Sequence, residues 1–126
     1  MKKDSRSNVN FEVGLYYTWG KQLYSKKDYM AAFTVFADGY YRYPDNEDFL
    51  NNTFTTFYKS LRRNWHRKNW PESARLIEEM IDLEILQERD HRAISQYLAN
   101  WRNYFNAKNN KQSSDQVKYY LKKFND

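Results

Sequence analysis

The chain contains no cysteine, three glycines and two prolines in 126 residues. Without cysteine there can be no disulfide and no thiolate metal site, and cysteine usage leaves the redox compartment open. So few glycines and prolines leave few interruptions, which favours an all-helical fold over many short strands. No apolar run approaches the roughly 18 residues that a membrane span requires. Met1-Lys2-Lys3 has the basic start of a secretion signal, but no apolar stretch follows it. A soluble protein, cytoplasmic by default, is the expectation. Glycine-rich phosphate loops, nucleophile elbows and paired zinc-binding histidines are also missing from the sequence.

What is present is aromatic. Phe, Trp and Tyr make up 19% of the residues, which outweighs a mean hydropathy of −1.08 as a guide to order, because disordered chains lack large rings. At this length a single domain with a real core is expected, preceded by a flexible tail over residues 1–8. The net charge is +5 and unevenly spread. Lys59 to Lys68 holds five Lys/Arg and His66 with no acid, whereas Glu72 to Asp90 holds seven acids against Arg75 and Arg89.

Apolar periodicity divides residues 9–126 into three helical hairpins, at about 10–43, 46–86 and 89–124. The first helix, about Asn10 to Tyr24, places Phe11, Leu15, Trp19 and Leu23 at four-residue spacing, the pattern of a buried face. Asp28 reads as an N-cap for a second helix presenting Tyr29, Ala32, Phe33, Phe36 and Tyr40, which Pro44 brings to a stop. Asn69-Trp70 stands 41 residues after Asp28-Tyr29. Asn69 caps, Pro71 falls in the first turn and Glu72 supplies an acid three residues on. The fourth helix carries Leu76, Ile77, Met80 and Ile81. A fifth, about Asp90 to Ala107, carries Ile94, Tyr97, Leu98, Trp101, Tyr104 and Phe105. Lys108 to Ser114 reads as a polar turn, and Val117, Tyr120, Leu121 and Phe124 give the last helix its apolar face.

The residues Trp19-Gly20, Leu23-Tyr24, Ala32, Phe36 and Pro44 resemble one tetratricopeptide repeat (TPR), whose pattern is W-x2-L-G-x2-Y…A-x3-F…P. The likeness is specific over Tyr16 to Pro44 and looser afterwards. Leu61 stands where Gly20 does and Asn64 where Leu23 does, and a 41-residue interval exceeds the usual repeat of about 34. The resemblance implies an all-α fold, a right-handed α-α superhelix of about three hairpins (six helices), and a binding scaffold with no enzymatic activity and no cofactor.

In such repeats the first helix of each hairpin lines the inner, ligand-binding surface. Projecting the repeat onto that surface gives three rows: Tyr17, Tyr58 and Leu98; Lys21, Arg62 and Arg102; Tyr24, Trp65 and Phe105. The third hairpin enters on a 40-residue step. Cations flanked by rings suit an extended acidic peptide or partner protein. The remaining run Lys59, Arg63, Arg67 and Lys68 reads as a solvated helix end offsetting the helix dipole. TPR domains that capture chaperone tails use a Lys/Asn/Arg clamp. Tyr17, Lys21, Lys59 and Ala99 occupy those places here, so the clamp set is missing. RNA or single-stranded nucleic acid is the alternative ligand. Self-association of the basic and acidic surfaces within a larger protein is a further one. His66 and His91 lie on different helices, and Glu78 and Glu79, adjacent on one helix, point about 100 degrees apart. Neither pair suggests chemistry.

Overall fold

The computed structural model describes residues 5–125, and all regular structure among them is helical. The elements are α1 (Ser5–Ser25), α2 (Tyr29–Arg42), α3 (Glu47–His66), α4 (Trp70–Leu83), α5 (Glu88–Ala107) and α6 (Lys111–Asn125). Of the tail expected over residues 1–8, residues 5–8 have helical backbone, and residues 1–4 lie outside the described residues. Helices α1 and α2, α2 and α3, and α5 and α6 pack against one another. The chain forms two compact units, Met1–Leu76 and Ile77–Asp126, each described by itself below.

Three hairpin turns share one backbone design. At the end of α1, Lys27 adopts a left-handed φ of 61°. The Asp28 amide then donates to Leu23 O and the Lys27 amide to Tyr24 O, both at 2.9 Å. These are the two bonds of a Schellman motif, which satisfies carbonyls that a helix end leaves unpaired. The same bonds recur from Asn69 to Asn64 and Lys68 to Trp65, and from Asn110 to Phe105 and Asn109 to Asn106. Lys68 and Asn109 have φ of 53° and 57°. The residue that closes each turn also caps the next helix. Asp28 Oδ1 accepts from the Ala31 amide, Asn69 Oδ1 from Glu72 and Asn110 Oδ1 from Ser113, at 3.1–3.3 Å. Asp28, Asn69 and Asn110 stand 41 residues apart, as do the ends of α1, α3 and α5. The third turn is therefore Lys108–Asn110, shorter than the polar run to Ser114 suggested. Lys111 to Ser114 form the first turn of α6 because Asn110 caps it.

In the first unit the core is ring-rich. Ala32, Phe36 and Phe49 are buried and packed by Val13, Tyr16, Leu23, Tyr24, Tyr40 and Tyr43. Gly20 is the contact point of α1 with α2. A Cβ there would lie 2.5 Å from Phe36 Cζ, so only glycine admits the ring. The face of α1 that packs is thus Val13, Tyr16, Gly20 and Leu23. Phe11, Leu15 and Trp19 were expected to be buried beside Leu23, but they lie exposed. Helix α1 is apolar on two sides, so four-residue spacing alone could not tell which side faces α2. Arg42 and Tyr43 both reach Glu12, which ties the start of α1 to the end of α2. Burial and this carboxylate raise the Tyr43 hydroxyl above the usual tyrosine range.

In the second unit Trp101, Ile94, Leu98, Phe105 and Val117 are buried, with Trp101 stacked on Phe105 at 5.3 Å. Asp90 completes a capping box with Gln87 at the start of α5. The Tyr120 hydroxyl donates to the Glu78 carboxylate. Burial first, and that carboxylate second, push its pKa up to about 12.

Candidate functional site

The turn spacing fixes the register of the three rows drawn from the sequence. Its second step is 41 residues, one more than the 40 used to place Leu98, Arg102 and Phe105 in the groove. On the observed register Tyr17 and Tyr58 correspond to Ala99, Lys21 and Arg62 to Asn103, and Tyr24 and Trp65 to Asn106. Leu98 and Phe105 are core residues at 0% and 7% exposure, so neither offers a surface to a ligand. Arg102 is exposed, but it occupies the register position of Gly20 and Leu61. Asn106 is engaged locally, accepting from Ser114 Oγ at 2.7 Å. The aromatic and cationic rows therefore belong to α1 and α3, in the first unit.

There the rings and cations meet. Lys21 Nζ sits 5.2 Å from the centre of the Tyr17 ring. Lys59 Nζ lies 5.5 Å from both the Tyr24 and Tyr29 rings, and the Arg63 guanidinium 5.7 Å from Tyr29. Tyr24 and Tyr29 pack edge to face at 5.3 Å. Lys68 Nζ covers the Trp65 ring at 3.2 Å. Such contacts are worth about 0.5–1 kcal/mol at exposed sites, enough to bias side-chain position.

Two adjoining concavities lie on this surface. One, a cleft of about 560 Å³, runs between the α1–α2 turn and the C-terminal half of α3, with Lys26, Lys27, Arg63 and Arg67 along its walls. The other shares Tyr29 and Arg63 and adds Lys59, Arg62 and His66. Arg63 reaches across to donate to the Lys27 carbonyl, so turn and helix are tied at the cleft. Among the described residues, no carboxylate pairs with Lys59, Arg62, Arg63 or Arg67. The ion pairs lie elsewhere, as between Arg75 and Glu72 and between Arg92 and Glu88. Only Asp28 and Glu72 contribute acid to the larger cleft.

Sequence reasoning placed Tyr24, Arg62, Trp65, Tyr17, Lys21 and Tyr58 on this face of the chain. Tyr24 enters the cluster around Lys59, Arg62 lines the smaller concavity, and Tyr58 packs edge to face on Phe57 at 5.1 Å. Tyr29, Lys59, Arg63 and Arg67 were missed as a group. The i, i+3, i+4 spacing of Lys59, Arg62 and Arg63 is a signal for one helix face, but nothing in sequence places Tyr29 beneath it.

Elsewhere His91 packs on Phe124 with ring centres 5.0 Å apart. Among the described residues no group of three or more His, Asp or Glu could hold a metal ion, and no helix is long and apolar enough to cross a membrane. Comparisons with protein families, with curated proteins and with solved structures found no match to this chain.

Proposed function

We propose that the chain is a TPR-like interaction module, its hairpins winding as a right-handed α-α superhelix. Its ligand is an extended acidic segment of a partner protein, bound without catalysis on the basic surface of the first unit. Three turns with the same pair of backbone bonds and the same capping position, at a constant interval, support the repeat. One observation carries the ligand class: Lys59, Arg62, Arg63 and Arg67 stand around half-buried tyrosines, and among the described residues none of them is in an ion pair, although Asp28 and Glu72 share the larger cleft. Carboxylates of a ligand would complete these pairs by charge-assisted hydrogen bonds. The parts of the tyrosine rings that the cations leave open, and the alkyl stems of those cations, would cover the apolar parts of the same segment, and the short, tied turn at Lys27 would hold the cleft open to receive it.

An acidic peptide suits this surface better than an oligonucleotide. Base stacking needs a free ring face, and Lys59 over Tyr24 and Tyr29, Arg63 over Tyr29 and Lys68 over Trp65 take up faces that a base would use.

Fluorescence anisotropy with a labelled peptide of alternating Glu and Leu, and with a mixed-sequence single-stranded oligonucleotide, tests the reading. The parent should bind the peptide at low salt and lose affinity as salt rises. Lys59→Glu with Arg63→Glu should weaken it at least about tenfold, a change of roughly 1.4 kcal/mol, with an unchanged far-UV spectrum. Equal peptide binding by parent and double variant would refute the site. Preferential binding of the oligonucleotide would refute the ligand class.

A further inference from the structure

The outer face of α1 presents Phe11, Leu15 and Trp19 at successive four-residue steps, exposed by 70%, 55% and 56%. The register-equivalent positions of α3 are Asn52, Thr56 and Ser60, small polar residues of which Thr56 and Ser60 are buried. Where α3 carries groups that allow a neighbour to lie close, α1 carries large apolar side chains that no described residue covers. Between Phe11 and Ser25 the only charged residues are Glu12 and Lys21, and neither belongs to the stripe. Glu12 is engaged by Arg42.

Gly14 supplies a second and independent observation. A glycine inside a helix lowers its stability relative to alanine, and in this chain it is justified where a ring approaches, as at Gly20. At Gly14 a Cβ would meet nothing within 4 Å. No contact within the described chain needs that space. Thr18, one turn on, is also small and exposed, so helical spacing sets a row of low side chains beside the ridge of Phe11, Leu15 and Trp19.

We infer that this face is the contact between two copies of the chain, α1 packing antiparallel on α1 of a second copy about a twofold axis at Leu15. The face is self-complementary. Phe11 and Trp19 lie one step either side of Leu15, so in such a pair each Phe11 meets Trp19 of the second copy and the two Leu15 side chains meet at the axis. The ridge of each helix fills the groove at Gly14 and Thr18 of the other, the close approach that small residues permit. Because the stripe is uncharged, two molecules of net charge +5 can meet there without placing like charges in contact. A head-to-tail chain is disfavoured, since α6 exposes Asp115, Lys118, Lys122 and Lys123, a polar surface with no match to the stripe. An isologous contact closes at two copies.

The area sets the size class of the contact. At the roughly 150–250 Å² that a ring presents, Phe11 and Trp19 together leave about 250 Å² open per copy. Adding Leu15 and the helix surface at Gly14, Thr18 and Gln22 brings the pair to the lower edge of specific interfaces, near about 1,000 Å² in total. An interface this small belongs with the weak, reversible ones, so association is read as a function of concentration, from about 1 to 100 μM.

Sedimentation velocity of the full chain across that range reads the inference directly. The mass should rise from 15.5 kDa toward twice that value and stop there. Leu15→Glu, which sets two carboxylates against each other at the axis, should hold the chain at the monomer mass with an unchanged helical spectrum. Gly14→Leu should raise the melting temperature, because its new side chain has room and a better helix propensity, while it abolishes association by filling the groove. A parent that stays monomeric at the highest concentration overturns the inference. So does growth beyond two copies, or association that survives Leu15→Glu and dissolves in salt. Since the acidic-peptide site uses none of these residues, peptide binding by the monomeric Leu15→Glu variant keeps the two proposals separable.

Discussion

Helices α1 and α5 occupy the same place in the 41-residue register and carry a tryptophan at the same step, yet they use it in opposite ways. Trp19 is 56% exposed and Trp101 is 0% exposed. The difference begins one residue later. Gly20 lets α1 close onto Phe36, so the packing centre of the first hairpin falls at Gly20 and turns Trp19 outward. At the matching positions the third hairpin has Arg102 and Lys118, both exposed. Its packing is therefore rotated toward Trp101, Leu98 and Phe105, with Val117 opposite. Identical turns thus do not impose identical helix contacts. The Schellman bonds set where each hairpin bends, and the residues just before the bend set which faces meet.

The widest contrast should come from truncating the two tryptophans. Trp101→Ala removes a fully buried ring and should cost about 3–5 kcal/mol, whereas Trp19→Ala, measured in dilute solution, should stay within about 0.5 kcal/mol of the parent. Urea denaturation followed by far-UV circular dichroism distinguishes them, and similar losses would mean that the two hairpins pack alike after all. A smaller effect is expected at the neighbouring position. Gly20→Leu, which installs the residue found at Leu61, drives a side chain into the Phe36 ring and should destabilise the first unit by about 1–3 kcal/mol. Arg102→Leu should be nearly neutral, within about 0.5 kcal/mol. The same denaturation curves would report both, and tolerance of Gly20→Leu would show that Phe36 can retreat.

The smallest effect sharpens the comparison through pH. Tyr120 belongs to the second unit, and its hydroxyl is held protonated up to about 12 against an ordinary value of 10.0. A raised folded-state value favours the native protein while the group is protonated in both states. That contribution is complete below pH 10 and is lost as pH rises through about 12. The melting temperature should fall over this window, and Tyr120→Phe should remove that part of the fall. An identical alkaline profile for Tyr120→Phe would assign the loss to other groups.

Much of this architecture is legible in the amino acids. Asp28 and Asn69 are caps because short polar acceptors in front of apolar periodic runs have few other uses, and their separation gives the interval. Asn110 was harder to place. It lies in a run with Asn106 and Asn109, any of which could cap, and Arg102 and Phe105 mimic the cation-and-ring pattern one residue out of register. A one-residue error rotates a helix position by about 100 degrees, which moved two core residues into an imagined groove. The outer face of α1 was misread for a different reason. Apolar residues on two sides of one helix satisfy the same periodicity, and only the contact of Gly20 with Phe36 selects between them. The basic cluster was visible as composition, but its relation to Tyr29 is tertiary, made when α2 folds back along α3.

The left-handed residues at Lys27, Lys68 and Asn109 give the chain a unit of growth. Because the helix ends at Ser25, His66 and Ala107 and the helix starts at Tyr29, Trp70 and Lys111 recur with them, cutting out one full interval from Glu47 through Gln87 would join Asn46 to Glu88, the residue that stands where Glu47 stood. Duplicating the same stretch would add a hairpin with each junction again falling just before a helix start. A gene built this way can gain or lose length by whole hairpins without inventing a new turn, while insertions of any other size shift a capping residue off its helix.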